Sequence, residues 1–187
     1  VLPDGSKQKL SSGKHDIQAK VTTADKAIVC DEFVYRDASF PQCHSASIVE
    51  TKKGDLVVTY FGGKHERNPD VCIWVNIKKK GSDHWSEPIL AADGVFLLDT
   101  PDALLAGIND TTTEATVGPI KKRLKDKAFN QAPNNKLKRK ACWNPVIYQD
   151  SKTGELVIYF KIGLKVADWT GWLVRSRDGG KTWSDRE

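Results

Sequence analysis

The segment CHSASIVETKKGDLVVTYFGG, residues 43–63, recurs about a hundred positions later as CWNPVIYQDSKTGELVIYFKIG, residues 142–163. Each copy begins with Cys, runs into an apolar stretch, turns through Lys and Gly, and enters a second apolar stretch. Gly54 aligns with Gly154 and Leu56 with Leu156. Downstream, DVCIWVNI parallels TGWLVRS and HWSEP parallels TWSDR, which sets Trp85 against Trp183. Such a repeat constrains the fold more than composition can, because each unit buries its faces only against a neighbour.

Both units read as short strands. The first predicts strands at Ser45–Glu50, Asp55–Phe61, Asp70–Ile77 and Ser86–Ala91; the second at Pro145–Gln149, Glu155–Ile162 and Thr170–Ser176. Val, Ile, Tyr, Phe and Trp dominate them, as strands prefer. LVVTYF and LVIYF are continuously apolar, the pattern of a strand covered on both faces. Four-stranded antiparallel sheets at 40–50 residues each, stacked about an axis, are β-propeller blades. The fold class is therefore all-β, about two blades plus an insertion: an extension over 1–39, a blade over 40–94, an insertion over 95–140, and a blade over 141–187. Within the insertion, Thr100-Pro101 followed by Gly107 predicts one short helix, and Ile120, Leu124 and Ala128 a second. Two blades do not close a ring, so the chain reads as a fragment or as one part of an assembly.

The four cysteines (Cys30, Cys43, Cys72 and Cys142) form no CxxC pair, which argues against zinc. They read as buried small apolar residues, with a Cys43–Cys72 disulfide as the alternative. No carboxylate cluster has calcium-loop spacing, and no cofactor is implied. Asn109-Asp110-Thr111 is a glycosylation triplet that matters only in a secretory compartment. No apolar run approaches a membrane span. The net charge of +5 is concentrated in Lys121–Lys140, where nine Lys or Arg face the single Asp126. That run reads either as a solvated loop or as a docking surface for an acidic protein partner. It lacks the interleaved aromatics of a single-strand nucleic-acid binder.

The last residues, SRDGGKTWSDRE, predict a hairpin between the third and fourth strands of the second blade. Asp178 accepts turn amides, Gly179 and Gly180 allow the required backbone angles, and Ser176 and Thr182 close the turn over Trp183. Ser176, Asp178, Gly180, Thr182 and Trp183 match all five positions of the Asp-box, Ser-x-Asp-x-Gly-x-Thr-Trp. Together with CHSASIVE, YFGGKHERNPDVCIW, HWSEP and CWNPVIYQD…GELVIYFKIG, this resembles the sialidase superfamily, in its BNR-repeat, predicted-neuraminidase branch. The resemblance covers about residues 40–94 and 141–187. It implies a propeller acting on terminal sugars of glycans, an Asp-box that serves the fold rather than catalysis, and a secreted, periplasmic or secretory-pathway location.

Strand direction locates the candidate site. Successive antiparallel strands alternate, so the start of each first strand and the loop between the second and third strands share one rim, opposite the Asp-box. That rim gathers His44, Lys64, His65, Glu66, Arg67, Asp70, Trp143, Asn144, Lys161 and Lys165. The resemblance places Glu66, with Asp70 second, where sialidases carry their acid/base. It puts His44 where they carry an arginine of the sialic-carboxylate clamp, and His44 can bind an anion or exchange a proton near neutral pH. Arg67, Lys64, Trp143, Asn144 and Lys161 are the candidate substrate contacts. Each also has a structural reading: His44 hydrogen-bonded in the fold, Glu66 and Arg67 solvated, Asp70 capping its loop, Trp143 packing between blades, Lys161 snorkelling at a rim. The functional expectation is an exo-glycosidase in the full-length parent. The alternatives are a non-catalytic binding or assembly module and a uronate-directed lyase.

Overall fold

The computed structural model describes residues 30–97 and 137–187. The chain divides after Asp37 into two units. Of the first, residues 30–37 are described, with the Arg36 guanidinium 4.7 Å over the Phe33 ring. The second unit holds two antiparallel sheets. In the first sheet, β1 (Gln42–Glu50), β2 (Leu56–Gly63), β3 (Cys72–Lys78) and β4 (Ile89–Ala92) lie in sequential order. A two-stranded ribbon follows, β5 (Val95–Leu97) with β6 (Leu137–Arg139). The second sheet runs β7 (Cys142–Gln149), β8 (Leu156–Ile162), β9 (Thr170–Ser176). The last residues continue it: Leu173 and Glu187 exchange both backbone bonds at 3.0 Å, and the Ser184 amide donates to the Arg175 carbonyl at 2.8 Å.

The sheets stack face to face through alternating side chains. Val57, Phe61, Ile73, Val75 and Ile77 from the first sheet share one core with Ile147, Leu156, Ile158, Phe160, Ile162 and Val174 from the second. Polar contacts tie the innermost strands. The Ile147 amide donates to Ser47 Oγ at 3.3 Å, and the Lys52 amide to Gln149 Oε1 at 2.7 Å.

The strand bounds depart from expectation for local reasons. β1 and β7 begin at Gln42 and Cys142, three residues early, because each contains a bulge. Register passes from His44↔Phe61 to Ser47↔Thr59, and from Trp143↔Lys161 to Val146↔Tyr159. Two residues thereby oppose one, and a bulge accommodates Pro145. β3 starts two residues late, because Asp70 is engaged by its loop. β4 starts at Ile89, just past Pro88, while Ser86 upstream is already bound to Ile77.

Three expectations need correction or fall elsewhere. The four cysteines form no disulfide, and Cys43 is exposed while Cys72 is buried, which removes the Cys43–Cys72 bridge. The insertion, expected over 95–140, has its ends paired in the β5–β6 ribbon; its two expected helices and Asn109 lie outside the described residues. Of the basic run, Arg139 and Lys140 are buried rather than offered to solvent or a partner. The Arg139 guanidinium donates to the Asp70 carbonyl at 3.2 Å and to Cys72 Sγ at 3.0 Å. No helix among the described residues is long and apolar enough to cross a membrane.

Candidate functional site

At the rim where β1 and β7 begin, a cavity of about 510 Å³ opens between the sheets. His44, Glu66, Arg67, Trp143 and Asn144 line it, joined by Ser45, Phe61, Leu164, Lys165, Val166 and Trp169.

Its floor is aromatic. The Trp143 indole donates to the Gly163 carbonyl at 2.7 Å, which fixes its ring against Trp169 at 5.1 Å and edge-on to Phe61 at 5.8 Å. The Trp169 indole nitrogen is buried without a hydrogen-bond partner among the described residues. His44 lies 5.6 Å from the Phe61 ring. A single 3-10 turn, Val166–Asp168, carries Trp169 back toward the floor.

The loop between β2 and β3 is held by its own polar groups. Both Asp70 carboxylate oxygens accept the Lys64 amide, at 3.1 and 3.2 Å. Asn68 Oδ1 accepts the Asp70 amide at 3.1 Å. His65 Nδ1 pairs with the Glu66 carbonyl at 2.8 Å and its Nε2 with the Asn68 amide group at 3.2 Å, so a neutral Nδ1–H imidazole satisfies both. The Glu66 amide donates to Gln42 Oε1 at 3.3 Å. With these groups spent on the loop, the side chains of Glu66 and Arg67 line the cavity and form no hydrogen bond or ion pair among the described residues, as do those of His44 and Lys165.

Three non-glycine residues among those described have positive φ: Ser45 at 54°, Arg67 at 73° and Asn144 at 42°. All three line this cavity. Ser45 and Asn144 are the bulge residues of β1 and β7, and Ser45 Oγ donates to Asn144 Oδ1 at 3.0 Å, joining the bulges across the sheets. Backbone held in this region costs about 1–3 kcal/mol per residue and concentrates at functional sites.

The candidate residues thus separate. His44, Glu66, Arg67, Trp143 and Asn144 converge. Asp70 is turned into its own loop, and Lys64 contributes its backbone there. Lys161 projects from the outer face of β8, its ammonium 5.4 Å from the Trp169 ring centre. Sequence reasoning left out Ser45, Phe61 and Trp169; aligning Ser45 with Asn144 through the repeat would have found the first. At the opposite rim, Asp178 Oδ1 accepts Ser176 Oγ at 2.8 Å and the Lys181 and Thr182 amides at 3.0 Å, and its Oδ2 accepts Thr182 Oγ1 at 2.6 Å. The Gly180 amide, at φ 93°, donates to Ser176 Oγ at 2.8 Å. Every lone pair that orders the hairpin is used locally. Asp178 is a fold element.

Repeated antiparallel sheets of four and three strands, an Asp-box at one rim and a polar, aromatic cavity at the other define a partial β-propeller of the Asp-box class. The chain belongs to the BNR repeat-like domain family, whose sequence model matches residues 54–106 and 122–187. No curated protein matches it. Among solved structures it is similar to the Hadza microbial sialidase Hz136, at 15% identity and a TM-score of 0.47, over 78% of this chain and 25% of that one. It is also similar to the NanB sialidase from Streptococcus pneumoniae, at 12% identity and a TM-score of 0.42, over 70% of this chain and 18% of that one. A protein of unknown function from Dyadobacter fermentans aligns at 13% identity and a TM-score of 0.28, over 80% of this chain and 55% of that one. The chain spans a quarter or less of the length of the two sialidases.

Proposed function

We propose that the cavity is a glycan site, part of a sialidase-related propeller that processes terminal sugars as an exo-glycosidase. One observation carries this reading: the three strained non-glycine residues fall on one cavity, beside His44, Glu66, Arg67 and Lys165, whose side chains form no hydrogen bond or ion pair among the described residues. The Trp143–Trp169 pair offers an apolar face for a sugar ring. Arg67 and Lys165 offer cationic donors for its oxygens, and Asn144 an amide. Glu66 serves as acid/base at the leaving oxygen, and His44 contacts an anion or hydroxyl.

The test uses the full-length protein and a panel of 4-nitrophenyl glycosides of terminal sugars. Glu66→Gln is expected to abolish turnover and to leave stability within about 0.5 kcal/mol, as for an exposed residue without a partner. Unchanged turnover removes Glu66 from the mechanism.

A second reading, recognition without hydrolysis, is favoured by one feature. Glu66 is the sole carboxylate among the described residues lining the cavity, whereas glycoside hydrolysis needs an acid/base and a second group to stabilise developing positive charge. Binding of a glycan by calorimetry, with no turnover of any panel member and with affinity retained in Glu66→Gln, would select this reading.

A further inference from the structure

Ser45 and Asn144 occupy equivalent places in the two repeats, 99 positions apart, and meet at the cavity, where Ser45 Oγ donates to Asn144 Oδ1 at 3.0 Å. Both hold the backbone at positive φ, 54° and 42°. Glycine would relieve that strain, and at the exposed position 45 it would give up little packing. Asn144 also precedes Pro145, which pushes the residue before it toward extended backbone. One exposed hydrogen bond between neutral groups returns less than two such residues cost. Stability does not explain why a serine and an asparagine stand here.

The bond decides which end of the Asn144 amide a ligand meets. Oδ1 is committed to Ser45, so Nδ2 is the end left over, and it forms no hydrogen bond among the described residues. The other strong donors at the cavity, Arg67 and Lys165, sit on long, rotamer-rich side chains that can follow an oxygen to many positions. Asn144 is short and pinned at its oxygen. A donor held in place discriminates by position, because a ligand lacking an acceptor there leaves it unpaired.

We propose that Ser45 is a positioning residue: it turns the Asn144 amide nitrogen to the ligand, and the site thereby selects a sugar that places an acceptor oxygen, rather than a donor, against Nδ2. The inference rests on the glycan reading of the cavity. It gives the strain at both bulges a use in recognition, and it predicts that relieving the strain costs binding rather than stability.

The test uses the full-length protein, with urea midpoints by tryptophan fluorescence and calorimetric affinities for the methyl glycosides of galactose, N-acetylglucosamine, glucuronate and N-acetylneuraminate. Ser45→Gly removes the hydroxyl and frees the backbone. Its midpoint is expected at or above that of the native protein, with the bound sugar held about tenfold more weakly. Asn144→Asp keeps an oxygen for Ser45 and replaces the ligand-facing donor by an acceptor. It is expected to keep the native midpoint and to weaken the same sugar by about tenfold or more. Added to Ser45→Gly, it should cost less than it does alone, since the amide is already free to turn. A Ser45→Gly midpoint below the native one makes the bond architectural and overturns the proposal, whatever binds. Native affinity in either single variant, or additive losses in the double one, also overturns it and leaves the glycan reading standing. If the native protein binds none of these sugars, the glycan reading fails and the proposal falls with it.

Discussion

The Asp-box carboxylate is the group whose removal has the most calculable consequence. Asp178 accepts four hydrogen bonds, two from backbone amides. Hydrogen bonds to a charged acceptor contribute about 1.5–3 kcal/mol each when buried. Asp178 is exposed, so water re-solvates the released donors and the sum shrinks; about 2 kcal/mol for Asp178→Ala is a fair total. For a unit of this size that lowers Tm by about 4–8 °C. Asp178→Asn keeps one acceptor oxygen and loses less. The pH dependence follows from the depressed carboxyl: burial pushes it upward, but the bonds from Thr182, Ser176 and Lys181 outweigh that and hold it below 3.8. A carboxyl lowered on folding stabilises fully above its unfolded pKa, and that stabilisation disappears as pH falls through the folded value. Urea unfolding followed by tryptophan fluorescence is therefore expected to show the full gap between the native protein and Asp178→Asn at neutral pH. Between about pH 5 and pH 3 the gap narrows. A loss under about 0.5 kcal/mol for the alanine variant refutes the reasoning. So does an asparagine gap that ignores acid.

Arg186→Ala should lose about 2–3 kcal/mol in the same assay, since its guanidinium donates to the Asp93 carbonyl at 2.9 Å and to the Val95 carbonyl, and lies 4.5 Å over Phe96. Native-state alkylation read by mass should label Cys30 and Cys43 and spare Cys72 and Cys142, the last because burial holds its thiol well above 9.0; rapid labelling of all four would contradict the packing. Burial also holds the Lys140 ammonium below 10.5, against a smaller opposing pull from Asp168. The unfolded chain then binds the extra proton, so stability should rise with alkaline pH toward that value, and Lys140→Met should abolish the rise.

What the sequence disclosed, and what it withheld, divides along local and long-range lines. The Asp-box was legible residue by residue because its bonds close within seven positions, Ser176 to Trp183. β9 was legible at both ends because its aromatic and aliphatic run is bounded by the loop before Thr170 and by the Asp-box turn after Ser176. The bulges were not: neither CHSAS nor CWNPV carries a local signal for two residues opposing one, since the extra residue is defined by the partner strand. The β5–β6 ribbon was hidden for the same reason. Three-residue strands separated by about forty positions have no periodicity to read. Arg139 and Lys140 sit in a run of cations, and only the ribbon's pairing decides that these two turn inward.

Comparing the two repeats with each other locates the cavity a second way. At the hairpin rim both units use the same device, although the first, KKKGSDHWSEP, has Lys80 and Ser82 where the Asp-box has Asp178 and Gly180. Ser86 Oγ accepts the Ile77 amide at 3.0 Å and donates to the Glu87 carbonyl, and Ser184 Oγ accepts the Arg175 amide at 3.0 Å and donates to the Asp185 carbonyl. A hydroxyl there closes the sheet edge in both units, so its role is architectural. At the other rim the backbone is shared and the side chains are not. Both innermost strands bulge at equivalent positions, yet His44 stands against Trp143, Ser45 against Asn144, and Glu66-Arg67 against a 3-10 turn bearing Lys165 and Trp169. A ligand that touches both sheets at once meets two different halves. The carboxylate of Glu66 lies on the first sheet's side and the Trp143–Trp169 indole pair on the second's.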